Sequence, residues 1–248
     1  NPGVRAIEAA GAVLDVSGGD SFTDLYGPHR WNQVVNPKRL ALDAGVPLVL
    51  LPQTYGPFRD PGTRREAERL VVAARAAWSR DPESFEVLRE LAGADFDPAR
   101  HREGVDMAFA LEPRAPGAGM PDLLVRWLEE REDHPVVGLN VSGLVYYQDS
   151  DRYGDRAGYR AAMLGLARNL LEQDDVRLLL VPHVHGRDGV ESDELAASDL
   201  ASRLPGTLSD RVAVLPAVFG ADETKHIVAR LEWFCGTRMH STVGALSS

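Results

Sequence analysis

Residues 136–143 read Val-Val-Gly-Leu-Asn-Val-Ser-Gly, an apolar run that ends in polar residues and a glycine. A continuous apolar run is typical of a strand that is buried on both faces of a parallel sheet. Similar runs recur along the chain and alternate with longer amphipathic segments, as in strand-helix-strand units. The predicted strands are residues 12–17, 46–51, 76–79, 136–141, 176–181, 212–215 and 233–235. We therefore expect an α/β protein built on parallel sheets.

Two amphipathic helices are predicted from apolar residues at helical spacing. Their apolar positions are Ala67, Leu70, Val71, Ala74 and Trp78 in one helix, and Tyr159, Met163, Leu166 and Leu170 in the other. The stretch 112–120 is rich in glycine and proline and breaks every periodicity, so we place a domain boundary near it. The prediction is a first domain over residues 1–115, a linker with a helix over 116–134, and a second domain over 135–248.

Composition excludes several classes of protein. The 248 residues are 44% hydrophobic and 26% charged, as in ordinary globular proteins. A net charge of -10 and the lack of a basic run make nucleic acid an unexpected partner. Cys235 is the single cysteine, which excludes an internal disulfide and suggests an inert core thiol in a reducing compartment. No apolar run approaches the roughly 20 residues of a membrane span, so we expect a cytoplasmic protein.

Clusters of Gly, Pro, His, Arg and Asp follow directly after predicted strands. They lie at residues 17–20, 52–58, 80–84, 140–143, 182–185 and 237–240. The carboxyl ends of parallel strands share one edge of a sheet, and ligands bind in the crevice along it. Two such sheets facing each other would form a cleft. These junctions make Gln53, Asn140 and Ser142 candidates for contact with a substrate.

The junction with the most suggestive chemistry is Thr237-Arg238-Met239-His240-Ser241, which joins a strand to the predicted helix at residues 241–246. A helix amino terminus favours an anion. Arg238 supplies a fork that suits a carboxylate or phosphate, His240 can exchange a proton near neutral pH, and Ser241 opens the helix. The alternative is that Arg238 pairs with an acid of its own domain while His240 caps the helix.

The first junction carries Gly18, Gly19 and Asp20. Paired glycines allow a backbone to approach a ligand closely, although an ordinary tight turn explains them equally well. Asp20 and Asp24 could accept hydrogen bonds from sugar hydroxyls or cap the following segment.

The junction after residues 76–79 carries Arg80 and Asp81. Asp81 precedes Pro82 and Glu83, which is the pattern of a helix N-cap. Arg80 would project from the strand end towards the cleft and offset the negative field of the protein. A salt bridge with a neighbouring carboxylate is the alternative for Arg80.

His183 and His185 flank one residue, so in extended geometry both side chains point the same way. Such a pair raises the question of a metal site. No third ligand stands at a persuasive spacing, so binding of a phosphate or hydroxyl is the preferred interpretation and no metal is expected.

Six segments, taken in order, resemble the polysaccharide pyruvyl transferase family. They are residues 14–21, 52–58, 79–84, 105–109, 137–142 and 238–241, and the resemblance extends over roughly residues 12–246. It implies two Rossmann-like domains facing across a cleft, as in GT-B glycosyltransferases. It also implies transfer of pyruvate from phosphoenolpyruvate to two sugar hydroxyls as a ketal, with loss of phosphate and without a metal or other cofactor. The implied acceptor is a sugar or lipid-linked glycan, which is compatible with peripheral membrane association.

The sequence departs from the family at Ser17-Gly18-Gly19, where three glycines are common, and it lacks the family's earlier first strand and the segment beyond the last helix. We therefore expect a chain that is incomplete at both ends. On this hypothesis Arg238 and Arg80 bind phosphoenolpyruvate and His240 is the acid. Asp20, Asp24 and Asp106 are candidates for the base.

Two other functions fit the same junctions. A nucleotide-sugar glycosyltransferase would use them to bind a diphosphate. A catalytically silent glycan-binding relative would keep the cleft without the chemistry. Release of a nucleoside diphosphate would distinguish the first alternative, and sugar binding without turnover the second.

Overall fold

The computed structural model describes residues 2–117, 119–130, 132, 134–147, 156–173, 175–186 and 191–248. The chain divides into two compact units, Asn1–Met107 and Ala108–Ser248. The described residues form an α/β protein with one four-stranded parallel sheet in each unit. The prediction of an α/β protein built on parallel sheets is therefore confirmed.

The first unit is a parallel sheet with helical crossovers. Its strands are β1 (Val13–Asp15), β2 (Leu48–Gln53), β3 (Ala76–Ser79) and β4 (His101–Glu103). They pair in the order β1-β2-β3-β4, and all three pairings are parallel. The helices are α1 (Pro2–Glu8), α2 (Gly27–Asp43), α3 (Pro61–Ala73) and α4 (Pro82–Ala92), and a 3-10 turn spans Gly93–Asp95.

Local sequence explains where two of these helices begin. The carboxylate of Asp60 accepts a hydrogen bond from the backbone N–H of Thr63, and that of Asp81 accepts one from Ser84, both at 2.7 Å. Proline follows each aspartate at the first helical position, where no N–H is needed. The prediction that Asp81 is an N-cap is confirmed.

The second unit is also a parallel sheet with helical crossovers. Its strands are β5 (Val136–Asn140), β6 (Arg177–Leu180), β7 (Val212–Val214) and β8 (Trp233–Gly236), in the order β7-β6-β5-β8 with every pairing parallel. The helices are α5 (Asp122–Glu129), α6 (Gly143–Tyr147), α7 (Arg156–Gln173), α8 (Asp193–Ser202), α9 (Ala221–Val228) and α10 (Met239–Leu246). Further 3-10 turns span Met107–Ala110 and Gly206–Arg211.

Strand β5 lies in the middle of its sheet, and all five of its residues are buried. Leu139 pairs with Leu180 on one side and with Cys235 on the other. A side chain at Gly138 would place its Cβ 2.5 Å from Leu231 Cδ1 and 2.6 Å from Phe234 Cδ2, so these side chains pack directly against the glycine. The apolar run quoted first therefore holds the centre of the second unit, as its pattern predicts.

Several predicted bounds differ from the structure. Strand β1 stops at Asp15 rather than residue 17, because Ser17, Gly18 and Gly19 all have positive φ, at 49°, 63° and 86°. Strand β4 was not predicted, because only His101 of its three polar residues is buried at this sheet edge. Trp78 lies in β3, and α3 ends at Ala73.

Along the chain, the division between the two units falls between Met107 and Ala108. Residues 108–115 group with the second unit. Arg114 explains this, because its backbone N–H donates to the carbonyl of Asp222 and its guanidinium contacts Asp222 and Glu223 in α9. No helix among the described residues has the length and apolar character that a membrane span requires.

Candidate functional site

A cavity of about 440 Å³ opens in the second unit where β6 ends and where α9 and α10 begin. Its walls combine apolar side chains with a small set of polar ones, which is the usual composition of a ligand site. The lining residues are Ala108, Leu111, Val181, Pro182, His183, His185, Phe219, Ala221, Thr224, Lys225, Val228, Phe234, His240, Ser241 and Gly244.

Four residues that we predicted as ligand contacts line this cavity together. His183 and His185 arrive from the loop after β6, and His240 and Ser241 from the first turn of α10. The loop follows β6 and the helix follows β8. These two strands flank β5 and run parallel to it, so both elements begin at the same edge of the sheet. The helix amino terminus favours an anion, and the three imidazoles beside it can form hydrogen bonds with one, within a protein of net charge -10.

The environment of His183 favours its neutral form. Burial lowers the pKa of His183 below its ordinary value, and the charges of His240, Arg238 and His185 lower it further against the opposing effect of Asp193. An anion bound beside this imidazole would reverse that balance.

Arg238 lies directly before α10, with its side chain turned to the carboxylate of Asp193. The distance from Nη2 to Oδ1 is 2.9 Å, and Nη2 also donates to the carbonyl of Glu191 at 3.2 Å. The side chain of Asp193 is fully buried and that of Arg238 is 16% exposed. Arg238 therefore pairs with an acid of its own domain, as in the alternative interpretation of the sequence.

Asp193 is the centre of a buried hydrogen-bond network. Its carboxylate also accepts bonds from the backbone N–H groups of Gly143 at 2.8 Å, His183 at 3.2 Å and Val184 at 3.1 Å. Burial opposes ionisation of Asp193, but the bonds from Arg238 and Gly143 outweigh it and hold the pKa below its usual range. A charged Asp193 therefore fixes the loop that carries His183.

Asn140 ties the same network to the sheet. Its Nδ2 donates to the carbonyl of Val181 at 3.0 Å and to Asp193 Oδ2 at 3.2 Å, while its Oδ1 accepts from the backbone N–H of Arg238 at 3.0 Å. Asn140 is fully buried. Its contacts join the ends of β5, β6 and β8 beneath the cavity, so this candidate positions the lining residues and does not itself line the cavity.

Ser142 is 1% exposed and has a similar place. Its backbone N–H donates to the hydroxyl of Tyr159 at 2.9 Å, and that hydroxyl lies 2.7 Å from Thr237 Oγ1. The next residue, Gly143, packs so closely that a Cβ would lie 2.4 Å from the carbonyl oxygen of Ser192. The residues that follow β5 therefore pack closely against the start of α8.

In the first unit, Gly18 and Gly19 belong to the turn after β1, which the buried side chain of Lys38 holds through hydrogen bonds. The Nζ of Lys38 lies 2.6 Å from Asp15 Oδ1, and it donates to Ser17 Oγ at 2.9 Å and to the carbonyl of Val34 at 2.8 Å. The backbone and hydroxyl of Ser17 both donate to Asp15 as well. These bonds hold the left-handed turn in place after β1.

The acidic candidates of this unit differ in their contacts. Asp24 Oδ2 accepts from the backbone N–H groups of Arg59 and Asp60, each at 2.7 Å, so Asp24 holds a loop. Asp20 is exposed and accepts from the hydroxyl of Tyr26 at 2.8 Å. Asp106 contacts Arg80 Nη1 at 2.8 Å.

Arg80 lies at the end of β3 with its side chain 10% exposed. Besides Asp106, it donates from Nε to Thr54 Oγ1 at 2.8 Å, and its backbone N–H donates to the carbonyl of Gln53. Gln53 is fully buried, and its Oε1 has no hydrogen-bond partner among the described residues. The two carboxyl ends of β2 and β3 are thus joined through Arg80.

Two residues at the cavity were not predicted. Asp193 follows the N-cap Ser192, so the sequence suggested only an acid that complements the helix dipole. Lys225 lies in α9 three residues before Val228, and both line the cavity. A cation among the apolar residues of the segment 221–228 is the signal that could have found it.

The part of the chain that the structure describes contains no group of three His, Cys, Asp or Glu side chains that could hold a metal ion. Cys235 is a free thiol in β8, packed against the core of the second unit.

The model of the family described as polysaccharide pyruvyl transferase matches residues 7–248 of the chain. No curated protein matches it.

Proposed function

Because the chain belongs to the polysaccharide pyruvyl transferase family and is therefore a transferase, we propose that it takes its pyruvyl group from phosphoenolpyruvate and joins it to a glycan sugar as a ketal. We assign the donor to the cavity of the second unit. The observation that carries this assignment is that His183, His185, His240 and the first turn of α10 line one cavity. A small trianionic ligand suits a helix amino terminus flanked by side chains that can form hydrogen bonds.

His240 is the proposed acid. It gives a proton to the methylene carbon of phosphoenolpyruvate, which becomes a methyl group and leaves C2 electrophilic. A first sugar hydroxyl adds to C2 and loses its proton to a base. The bond between C2 and the phosphate oxygen then breaks, and a second hydroxyl closes the ketal. The second hydroxyl proton leaves with phosphate as hydrogen phosphate, and the proton taken by the base returns to His240, so both groups are restored for the next turnover.

The other residues at the site position these groups. The Asp193 carboxylate binds Arg238 and the backbone of His183, and Asn140 binds the backbone of Arg238. The network therefore holds the His183 loop and the start of α10 in fixed geometry, as transfer of a proton to carbon requires. In this proposal Arg238 acts on the donor by orienting His240.

The test uses the full chain with phosphoenolpyruvate and a panel of sugar acceptors. The expected result is release of phosphate that depends on the acceptor, together with an acceptor mass gain of one pyruvyl ketal. His240→Gln should lower kcat by about 10²-fold or more, while His134→Gln, at a surface contact with Asp175 3.4 Å away, should leave it unchanged.

Two results would contradict the proposal. One is a His240→Gln variant that turns over like the parent. The other is a protein that releases no phosphate from phosphoenolpyruvate with any acceptor but releases nucleoside diphosphate from a nucleotide sugar. The second result would instead support a glycosyltransferase.

A further inference from the structure

The chain contains two lysines, Lys38 and Lys225, among 27 basic residues. Both are buried, at 0% and 4% exposure. Burial of an ammonium group is costly unless hydrogen bonds and an opposite charge replace water. Two buried lysines in a chain that otherwise uses arginine therefore each require an explanation.

Lys38 shows how this fold satisfies a buried lysine. Its three donors meet three acceptors, Asp15 Oδ1, Ser17 Oγ and the carbonyl of Val34, at 2.6, 2.9 and 2.8 Å. One of these acceptors is a carboxylate, so the charge is balanced as well. An ammonium group has no further donors to offer. Lys38 is complete without a ligand.

Lys225 is different. Its Nζ donates to the carbonyl of Leu111 at 2.5 Å, and within the described ranges no carboxylate lies within 4.0 Å of it. The acids next to it on α9, Asp222 and Glu223, contact Arg114 instead. Lys225 lines the cavity that also carries His183, His185 and His240. The ammonium is thus a buried positive charge in the wall of the cavity that these three imidazoles line.

We propose that Lys225 is a binding residue for an anionic group of the ligand, the carboxylate or the phosphate of the phosphoenolpyruvate donor. This inference rests on the proposed function for the identity of the ligand. The guanidinium groups of Arg238 and Arg80, the cations that the sequence suggested, contact Asp193 and Asp106. Because these carboxylates neutralise both arginines, Lys225 supplies the positive charge for the anionic group of the ligand.

A structural role for Lys225 predicts something else. Both Lys225 and Arg114 tie residues 111–114 to α9, through Leu111 and through Asp222 and Glu223. Arg114 is 59% exposed and does not line the cavity. If Lys225 only secured this segment, loss of Arg114 would weaken ligand binding in the same way. Arg114→Ala is therefore the matched control.

The first experiment is calorimetric titration of the full chain and its Lys225→Met, Lys225→Arg and Arg114→Ala variants with phosphoenolpyruvate, inorganic phosphate, pyruvate and uridine diphosphate. Lys225→Met should raise the Kd for phosphoenolpyruvate roughly 10- to 100-fold, the value of one charge-assisted hydrogen bond. Lys225→Arg should retain more affinity than Lys225→Met, and Arg114→Ala should bind like the parent. The phosphate and pyruvate arms identify which anionic group Lys225 contacts.

A second experiment needs no variant. Reductive methylation of the parent protein, followed by peptide mass spectrometry, reports both lysines separately. Phosphoenolpyruvate should slow modification of Lys225 and leave that of Lys38 unchanged. This measurement decides the matter if Lys225→Met does not fold.

The outcomes separate this inference from the proposed function. Unchanged affinity in Lys225→Met, or equal loss in Arg114→Ala, overturns the role of Lys225 even where the parent binds phosphoenolpyruvate. A parent that binds uridine diphosphate through Lys225 but does not bind phosphoenolpyruvate overturns the proposed donor and retains the anion-binding lysine.

Discussion

The guanidinium of Arg238 lies against the carboxylate of Asp193, with 2.9 Å between Nη2 and Oδ1. Asp193 is the first residue of α8, whereas Arg238 is the N-cap residue of α10. The pair therefore joins two helix starts, and its loss should disturb the side of the cavity that carries His240. This relationship underlies the first two predictions.

Arg238→Ala should destabilise the second unit by about 3–5 kcal/mol, because it leaves the buried Asp193 carboxylate without its partner. Urea unfolding followed by circular dichroism measures the change. The double variant Arg238→Ala with Asp193→Asn should cost less than the sum of Arg238→Ala and Asp193→Asn made singly, since both charges are then absent. Arg203→Ala, which removes an exposed pair with Asp199, should have a much smaller effect. Additive costs in the double variant would contradict a coupled pair.

Stability should fall in acid through Asp193. The pKa of this carboxyl is lower in the folded protein than in the unfolded chain, so the folded state binds fewer protons. The contribution of Asp193 is therefore complete above the ordinary pKa near 3.8 and is lost as the pH falls towards the lower folded value. Measured between pH 6 and pH 3, the free energy of unfolding should depend less steeply on pH in Asp193→Asn. An identical pH profile in the variant would show that Asp193 carries no such linkage.

Lys38→Met should destabilise the first unit by about 3 kcal/mol or more, because Asp15 loses its buried partner. Burial lowers the pKa of Lys38 even though Asp15 opposes this, so desolvation outweighs the attraction of the pair. Replacing both residues, as Lys38→Met with Asp15→Asn, should therefore restore part of the loss. Thermal unfolding of the three variants provides the comparison, and no recovery in the double variant would contradict this reasoning.

Two glycines of the second unit should respond oppositely to alanine. A Cβ at Gly143 would lie 2.4 Å from the backbone oxygen of Ser192, so Gly143→Ala should cost about 1–3 kcal/mol. Gly165 lies inside α7 with open space at its Cβ position, so Gly165→Ala should stabilise the helix by about 0.5–1 kcal/mol. Chemical denaturation of both variants tests the close approach at the end of β5. Equal effects would contradict it.

Much of the fold follows from local pattern. The apolar runs at residues 136–141 and 76–79 predict strands because a buried parallel strand must be apolar on both faces. Asp81 with Pro82 predicts a helix start because the cap and the missing N–H act within one turn. The edge strand β4 has no such pattern, since only His101 of its residues is buried.

The candidate site shows the same division. His183, His185, His240 and Ser241 could be named from the sequence because each follows a strand, and parallel strands bring their carboxyl ends to one edge. His240 and Ser241 also lie in one of the six segments that resemble the family whose model matches residues 7–248. The position of these residues along the chain is therefore enough to identify them as candidates.

The partners of the charges required the tertiary structure. Arg238 and Asp193 are 45 residues apart in sequence, and Lys225 meets the carbonyl of Leu111 across 114 residues. Sequence marks these side chains as cations and an acid, but their electrostatic effect depends on which charges lie within a few ångströms and on how much water is excluded. The tertiary structure places Asp193 beside Arg238, which neutralises the arginine, and it places the buried Lys225 in the wall of the cavity.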